Sequence, residues 1–222
     1  MEKVIVDNVS IRYVVRYKYE QNNKVIDMSD LDTSKCTNID NLFVSMPELE
    51  EIKNFNTLDL SNLTSMCYMC SGCQSLKSFD LSGLDLHNVN DMSWMCSGCH
   101  SLKTLNLSNT NLSNLTNMSW MCSGCHLLKE LDLSGLNLSN VRDMSWMCSS
   151  CHSLKSLDLS NTNLSSITYI SVMCGGCYSL TDFKVDEQYY NKFKNVIDEV
   201  NTRTNSLSSV NLDILKIPSH EE

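Results

Sequence analysis

The stretch "LKTLNLSNTNLSNLTNMSWMCSGCHL", Leu102 to Leu127, decides the reading of this chain. It follows "LKSFDLSGLDLHNVNDMSWMCSGCHS", which starts at Leu76. It precedes "LKELDLSGLNLSNVRDMSWMCSSCHS" and "LKSLDLSNTNLSSITYISVMCGGCYS". The period is 26 residues, held without a gap from Phe79 through Leu105, Leu131 and Leu157 to Phe183. Self-similarity at such a period is the signature of a stacked-repeat architecture. Each unit opens L-x-x-[L/F]-x-L-x-x-[L/T]-x-L, carried in this stretch by Leu102, Leu105, Leu107, Thr110 and Leu112. The alternating Leu-x-Leu segment reads as a short strand with Leu105 and Leu107 on one face. One unit cannot bury that face alone, so neighbours stack and share a continuous core.

Earlier sequence enters the same frame. Ile26, Met28 and Leu31 fall where Leu131, Leu133 and Leu136 lie, and Phe55 takes the place of Leu133 after one residue inserted behind Ile52. Strands are therefore expected near Ile26, Ile52, Phe79, Leu105, Leu131, Leu157 and Phe183. The fold class is an α/β leucine-rich-repeat solenoid: a parallel concave sheet, short helical turns on the convex side, and terminal caps. Asp91, Asn117 and Asp143, just before "MSWMC", are placed to cap those helical turns.

The ends divide the single domain. "VSIRYVVRYKYE" alternates Ile11, Tyr13, Val15, Tyr17 and Tyr19 with mostly polar residues, so residues 1–22 are expected as a β cap. The solenoid occupies 23–185. In 186–222, Tyr189, Phe193, Val196, Ile197 and Val200 recur at helical intervals and predict a capping helix. The tail "SSVNLDILKIPSHEE" is expected to add a strand or reach a partner.

"LDTSKCTNIDNLF" and "DMSWMCSGCHSLKTLNLSN" resemble the BspA-like leucine-rich repeat family over roughly residues 25 to 185. That resemblance implies adhesion or protein binding, a surface setting and no catalytic residues. The start of this chain departs from it, carrying neither an apolar export region nor a lipoprotein box.

Composition narrows the function classes. The 222 residues are 42% hydrophobic, enough for a sizeable core, and the net charge of −9 disfavours a nucleic-acid or anionic-membrane surface. No apolar run approaches a bilayer span. Without an export signal an intracellular setting is favoured, and the many Asn-x-Ser/Thr triplets read as repeat composition rather than glycan sites.

The twelve cysteines demand a reading of their own. One column runs Cys70, Cys96, Cys122, Cys148, Cys174; a second runs Cys73, Cys99, Cys125, Cys151, Cys177. The earliest rung carries Phe43 and Met46 there, and the BspA-like pattern has Phe in the first column and Cys in the second. Such columns read as core, where a thiol behaves as a small hydrophobe. The alternative is four-thiolate zinc, for example Cys96, Cys99, Cys122 and Cys125, or disulfides in an oxidising compartment. With His100, His126 and His152 the motif becomes Cys-x-x-Cys-His, the spacing of c-type haem attachment. Gln74 and Tyr178 break that run, and a 26-residue turn leaves no room for a macrocycle on every rung. Cys36 is expected in the core and Cys67 near the surface.

The expected function is a non-enzymatic scaffold that binds another protein through its concave face. The candidate binding residues are Lys77, Asp80, Lys103, Asn106, Lys129, Asp132, Lys155 and Asp158, the Asp column being a candidate for a basic partner. Trp94, Trp120 and Trp146 form a possible aromatic stripe, weighed against packing between turns. No cofactor is expected, and a small-molecule ligand is disfavoured. The competing classes are a metal or redox protein using the cysteine ladder, and an adhesin or virion surface component. The rungs also alternate "SGL" with "SNT", an alternation without a functional explanation at this level.

Overall fold

The computed structural model describes residues 3–204 and 214–215. Among the described residues the strands are short and parallel: β1 (Val4–Ile5), β2 (Val25–Asp27), β3 (Leu31–Asp32), β4 (Glu51–Lys53), β5 (Ser78–Asp80), β6 (Thr104–Asn106), β7 (Glu130–Asp132), β8 (Ser156–Asp158), β9 (Asp182–Asp186) and β10 (Ile214–Leu215). Among the described residues two α-helices, α1 (Ser10–Gln21) and α2 (Tyr190–Thr204), flank the repeats. The seven expected strand centres are all found, Ile26, Ile52, Phe79, Leu105, Leu131, Leu157 and Phe183 each lying within a strand. β2, β4, β5 and β6 form one parallel sheet and β7, β8, β9 and β10 a second, while β1 pairs with β3. The register follows the repeat, with Phe79 opposite Leu105 and Leu131 opposite Leu157.

The residue inserted behind Ile52 is absorbed locally. Asn54 turns into the left-handed region at φ 59° and a 3-10 turn over Phe55–Thr57 follows, returning Phe55 to the core against Phe79. Only Glu51 of β4 keeps a register partner on β5, Ser78.

Within a rung the leucines, methionines and both cysteine columns point inward. Leu102, Leu107, Leu112, Leu115, Met118, Met121, Cys122 and Cys125 are all buried. Thr110, also buried, donates its hydroxyl to Leu81 O at 3.0 Å, so its polar atom is satisfied across the rungs.

The turn side is built of consecutive turns, and no regular helix forms there. The backbone bonding shows why. Alternate N–H groups of "MSWMCSG" donate to the next rung: Met92 to Asn117 O, Trp94 to Ser119 O, Cys96 to Met121 O and Gly98 to Ser123 O. Of the intervening N–H groups, Met95 and Ser97 donate three residues back, to Met92 O and Trp94 O. A helix would keep every bond inside its own rung. Asp91, Asn117 and Asp143 therefore do not cap helices. Each accepts from the N–H two residues on, at 2.7–2.9 Å, and joins a chain of parallel bridges along the turn side.

This winding holds the residue before "MC" in the left-handed region: Tyr68, Trp94, Trp120, Trp146 and Val172 all have φ of 54–59°. A β-branched side chain is poorly tolerated there. Val172→Gly is expected to raise stability by about 1 kcal/mol, seen as a higher urea midpoint with unchanged slope. A lower midpoint would show that burial of the valine side chain outweighs the strain.

The N-terminal cap corrects the sequence reading: it is the helix α1, preceded by the two-residue strand β1. Asp7 Oδ1 accepts from the N–H groups of Val9 and Ser10, and Ser10 Oγ accepts from Asp7 N–H, so both ends of the first turn are tied. Ile11 and Val15 are buried, with Val14 and Tyr19 packed beside them. At the other end α2 sets Phe193 against Phe183, ring centroids 5.8 Å apart. Side-chain placements at Ile197 and Val200, and the tail apart from Ile214–Leu215, lie outside the described residues. Those two residues extend the sheet, Ile214 opposite Val185. Among the described residues no helix is long and apolar enough to cross a membrane.

Candidate binding face

The strand side presents three columns in register. Lys77, Lys103, Lys129 and Lys155 stand exposed just ahead of β5 to β8. Asp80, Asn106, Asp132 and Asp158 close those strands, and Ser82, Ser108, Ser134 and Ser160 follow. The acidic column is already employed. Asp80, Asn106, Asp132 and Asp158 each accept, through Oδ1, the N–H of the serine two residues on at 2.9–3.1 Å. These are Asx turns that carry the chain out of each strand. Asp80 also takes an amide proton from Asn56 at 3.1 Å, and Asp158 pairs with Lys184 at 3.4 Å.

The lysines divide into two groups. Lys77 and Lys24 both hold Glu50, whose carboxyl their hydrogen bonds bring down to about 2. Lys103, Lys129 and Lys155 make no ion pair among the described residues. Glu130 of β7 is likewise exposed and without an ion pair among the described residues, so this face presents charges of both signs. The sequence reading, which favoured a basic partner for the Asp column, missed the D-L-S and N-L-S spacing as a turn signal.

The aromatic column stacks on itself. Tyr68, Trp94, Trp120 and Trp146 lie nearly parallel, with successive centroids at 5.4, 4.4 and 4.6 Å. Each inner ring is covered on both faces, and the three tryptophans are half-buried. Positive φ and a 26-residue spacing align the side chains, since identical rungs repeat the same rotamer one strand spacing apart.

Sequence reasoning treated the histidines singly and missed their second stack. His100, His126, His152 and Tyr178 follow at 4.5, 4.8 and 5.5 Å, interplanar angles 2–12°. Burial, together with His100 and His152 on either face, lowers the pKa of His126 below its ordinary 6.5. The sign follows directly. A depressed histidine pKa leaves stability complete where the unfolded chain is also neutral, above about pH 7, and removes it as pH falls below 6.5. The melting temperature is expected to drop between pH 7.5 and 5.5, and His126→Gln should flatten that slope. An equal slope in the variant would remove the stack from the account.

None of the twelve cysteines is joined in a disulfide in this structure. Phe43 and Met46 are buried in the same columns as the cysteines. The second column is held by a repeated bond: the thiols of Cys73, Cys99, Cys125, Cys151 and Cys177 donate to the carbonyls of Phe43, Cys70, Cys96, Cys122 and Cys148 at 3.0–3.2 Å. In the first column, Cys122 donates to Met147 O at 3.1 Å and lies 3.7 Å from the Cys148 sulfur. Burial pushes the thiols of Cys70 and Cys125 well above 9.0. Among the described residues no group of three or more His, Cys, Asp or Glu is gathered as metal ligands would be. Cys36 is buried and Cys67 half-buried, as their columns imply.

A stack of 26-residue rungs with parallel strands in register and a common leucine core defines a leucine-rich-repeat type of solenoid. The chain belongs to the family described as "Mycoplasma protein of unknown function, DUF285", whose model matches residues 14–131 and again 98–214. No curated protein matches it in sequence. Among solved structures it is similar to the TLR13 chain of a TLR13–ssRNA13 complex, at 18% identity and a TM-score of 0.39, over 83% of this chain and 28% of that one. It is also similar to a leucine-rich repeat protein from Bacteroides ovatus, at 13% identity and a TM-score of 0.32, over 87% of this chain and 66% of that one.

Proposed function

We propose that the chain is a non-enzymatic scaffold that holds another protein against the strand side of its solenoid, its thiols serving the core. The observation that carries this reading is the division of labour between the faces. Thiols are turned inward and aromatic rings are spent on one another, while the strand side carries exposed side chains in register, including three lysines without an ion-pair partner. Extended surfaces of this kind are what stacked repeats offer to partners. The resemblance to BspA-like repeats supports the same reading.

A photo-crosslinking residue at Thr104, on the strand side, tests it against one at Asn114, outside the sheet. Crosslinks to a discrete protein from Thr104 alone are expected in cells of the source. Crosslinks from Asn114 alone would place binding elsewhere and overturn the proposal.

A further inference from the structure

The N-terminal end of the solenoid closes with an apolar surface. Terminal caps of stacked repeats carry a polar outer face, which keeps the ends apart in water. Here five of the nine large apolar residues exposed among the described ones fall within the first 17: Val4, Ile5, Val9, Tyr13 and Tyr17, each more than half exposed. The other four are spread from Tyr68 to Tyr178. Val9, Tyr13 and Tyr17 recur every four residues, so they form one stripe along α1 and its N-cap. Ile11 and Val15, two residues on from Val9 and Tyr13, are buried on the opposite side, where α1 packs on β2. Helix α1 therefore has two apolar faces, and only one is covered.

Strand β1 faces the same way. It pairs with β3 alone, in parallel, and is the outermost strand of that sheet. Val4 and Val6 turn their N–H groups to Asp30 O and Asp32 O. The alternation of strand N–H groups then points that of Ile5 outward. β1 and α1 together make an incomplete rung laid over the first one, so the open edge and the tyrosine stripe both look along the solenoid axis. The charges beside the stripe, Arg16 and Glu20, pair with each other at 3.2 Å. Arg12 is turned inward onto Asp40 O and Asn38 Oδ1. Residues 3–21 hold four basic and two acidic side chains, so the net charge of −9 lies in the rungs beyond.

We propose that this end face is the interface of a two-fold dimer, with α1 of one copy antiparallel across α1 of another and the two β1 edges meeting. The occupant follows from the character of the face. An apolar stripe whose own charges are paired offers little attraction to nucleic acid, an anionic membrane or a charged protein surface. A second copy presents the same stripe, and an isologous contact sets Tyr13 of each copy against Tyr17 of the other. The arrangement also keeps the two acidic solenoids at opposite ends of the assembly. Area sets the strength. The five side chains expose about 500 Å² together, within the size range of the largest patches on monomers. Two copies bury about 1,000 Å², at the lower limit of a specific interface, so a Kd of about 10–100 μM is expected. The strand side stays uncovered, so the pairing goes beyond the scaffold reading and does not depend on it.

Sedimentation equilibrium of the full chain from about 5 to 500 μM reads the pairing. The weight-average mass is expected to rise from that of one chain and to level at two. Tyr13→Glu with Tyr17→Glu should weaken association by at least about tenfold. Both side chains are exposed and glutamate is a good helix former, so the variant keeps the fold, which its amide spectrum verifies. In the ¹⁵N-labelled chain the amides from Val4 to Tyr17 should shift with concentration, and those of β5 to β8 should not. The mass of one chain throughout overturns the proposal, as does equal association of the variant. So do growth past two chains without a plateau and shifts confined to the strand side. Flotation of a monomeric chain with phosphatidylcholine vesicles, lost in the variant, would replace the dimer by a lipid-facing cap. The crosslinking from Thr104 decides the scaffold reading separately.

Discussion

Trp120→Ala is expected to lower the unfolding free energy by about 3 kcal/mol, and Trp120→Gly by less than the alanine variant. The ring of Trp120 lies between Trp94 at 4.4 Å and Trp146 at 4.6 Å, so its removal breaks two stacking contacts and uncovers the faces of both neighbours. Yet its backbone stands at φ 59°, where an alanine is strained by roughly 1 kcal/mol and a glycine is not. At an ordinary position glycine is the worse replacement by roughly 0.5–1 kcal/mol. The inversion of that order is therefore specific to this winding of the turn side. Urea unfolding of the two variants measures it, and a less stable glycine variant would show that the aromatic column does not sit on left-handed residues. The stack ends at Tyr68, which has one ring neighbour at 5.4 Å, so truncation there should cost less than at Trp120.

The strand positions were legible because the leucine spacing repeats without a gap and its side chains have one place to go. The cysteine columns were legible because Phe43 and Met46 occupy them in the first rung. The N-terminal helix was misread through its tyrosines. Tyr13 and Tyr17 count as apolar by type and complete a period of two, but they are 73% and 62% exposed. Removing them leaves Ile11, Val15 and Tyr19 at a spacing of four, which is helical. The turn side was misread for a different reason. "DMSWMC" carries a helix-capping residue ahead of good helix formers, and local propensity gave way to inter-rung hydrogen bonds that only stacking supplies. The acidic column looked like a charged surface because an Asx turn binds a carboxylate to its own backbone without leaving a distinctive partner residue. No ladder joins β6 to β7, and the one mark of this in the sequence is the single Leu127 in a serine column, which carries no meaning until the ladder on either side is known.

On the folded chain iodoacetamide is expected to modify Cys67 alone, the other eleven thiols reacting only as the chain opens. Burial raises the Cys67 thiol to about 11, so even that reaction is slow at pH 8. For the ladder the obstacle is access. Cys96, Cys99, Cys122 and Cys125 have no exposed surface, and the second column has its S–H groups turned onto backbone carbonyls. Reaction then waits on opening, which at an unfolding free energy of about 5 kcal/mol is slower than for an open thiol by a factor of roughly 10³–10⁴. The order of labelling should follow the solenoid. Each rung rests on its two neighbours, so the last rung, with Cys174 and Cys177, opens before the interior. Peptide mass mapping through a denaturant series reads that order. Early modification of Cys96 or Cys122, in step with Cys67, would mean that the ladder faces a solvent path. Zinc-held thiolates would be shielded in the same way, so the metal reading is separated by the intact mass of the native chain, which bound zinc would raise and denaturation would restore. A ladder that labels only on unfolding and carries no zinc leaves the cysteines as core residues, buried in the columns that Phe43 and Met46 fill in the first rung. The second column adds a donor that a carbonyl of the preceding rung accepts.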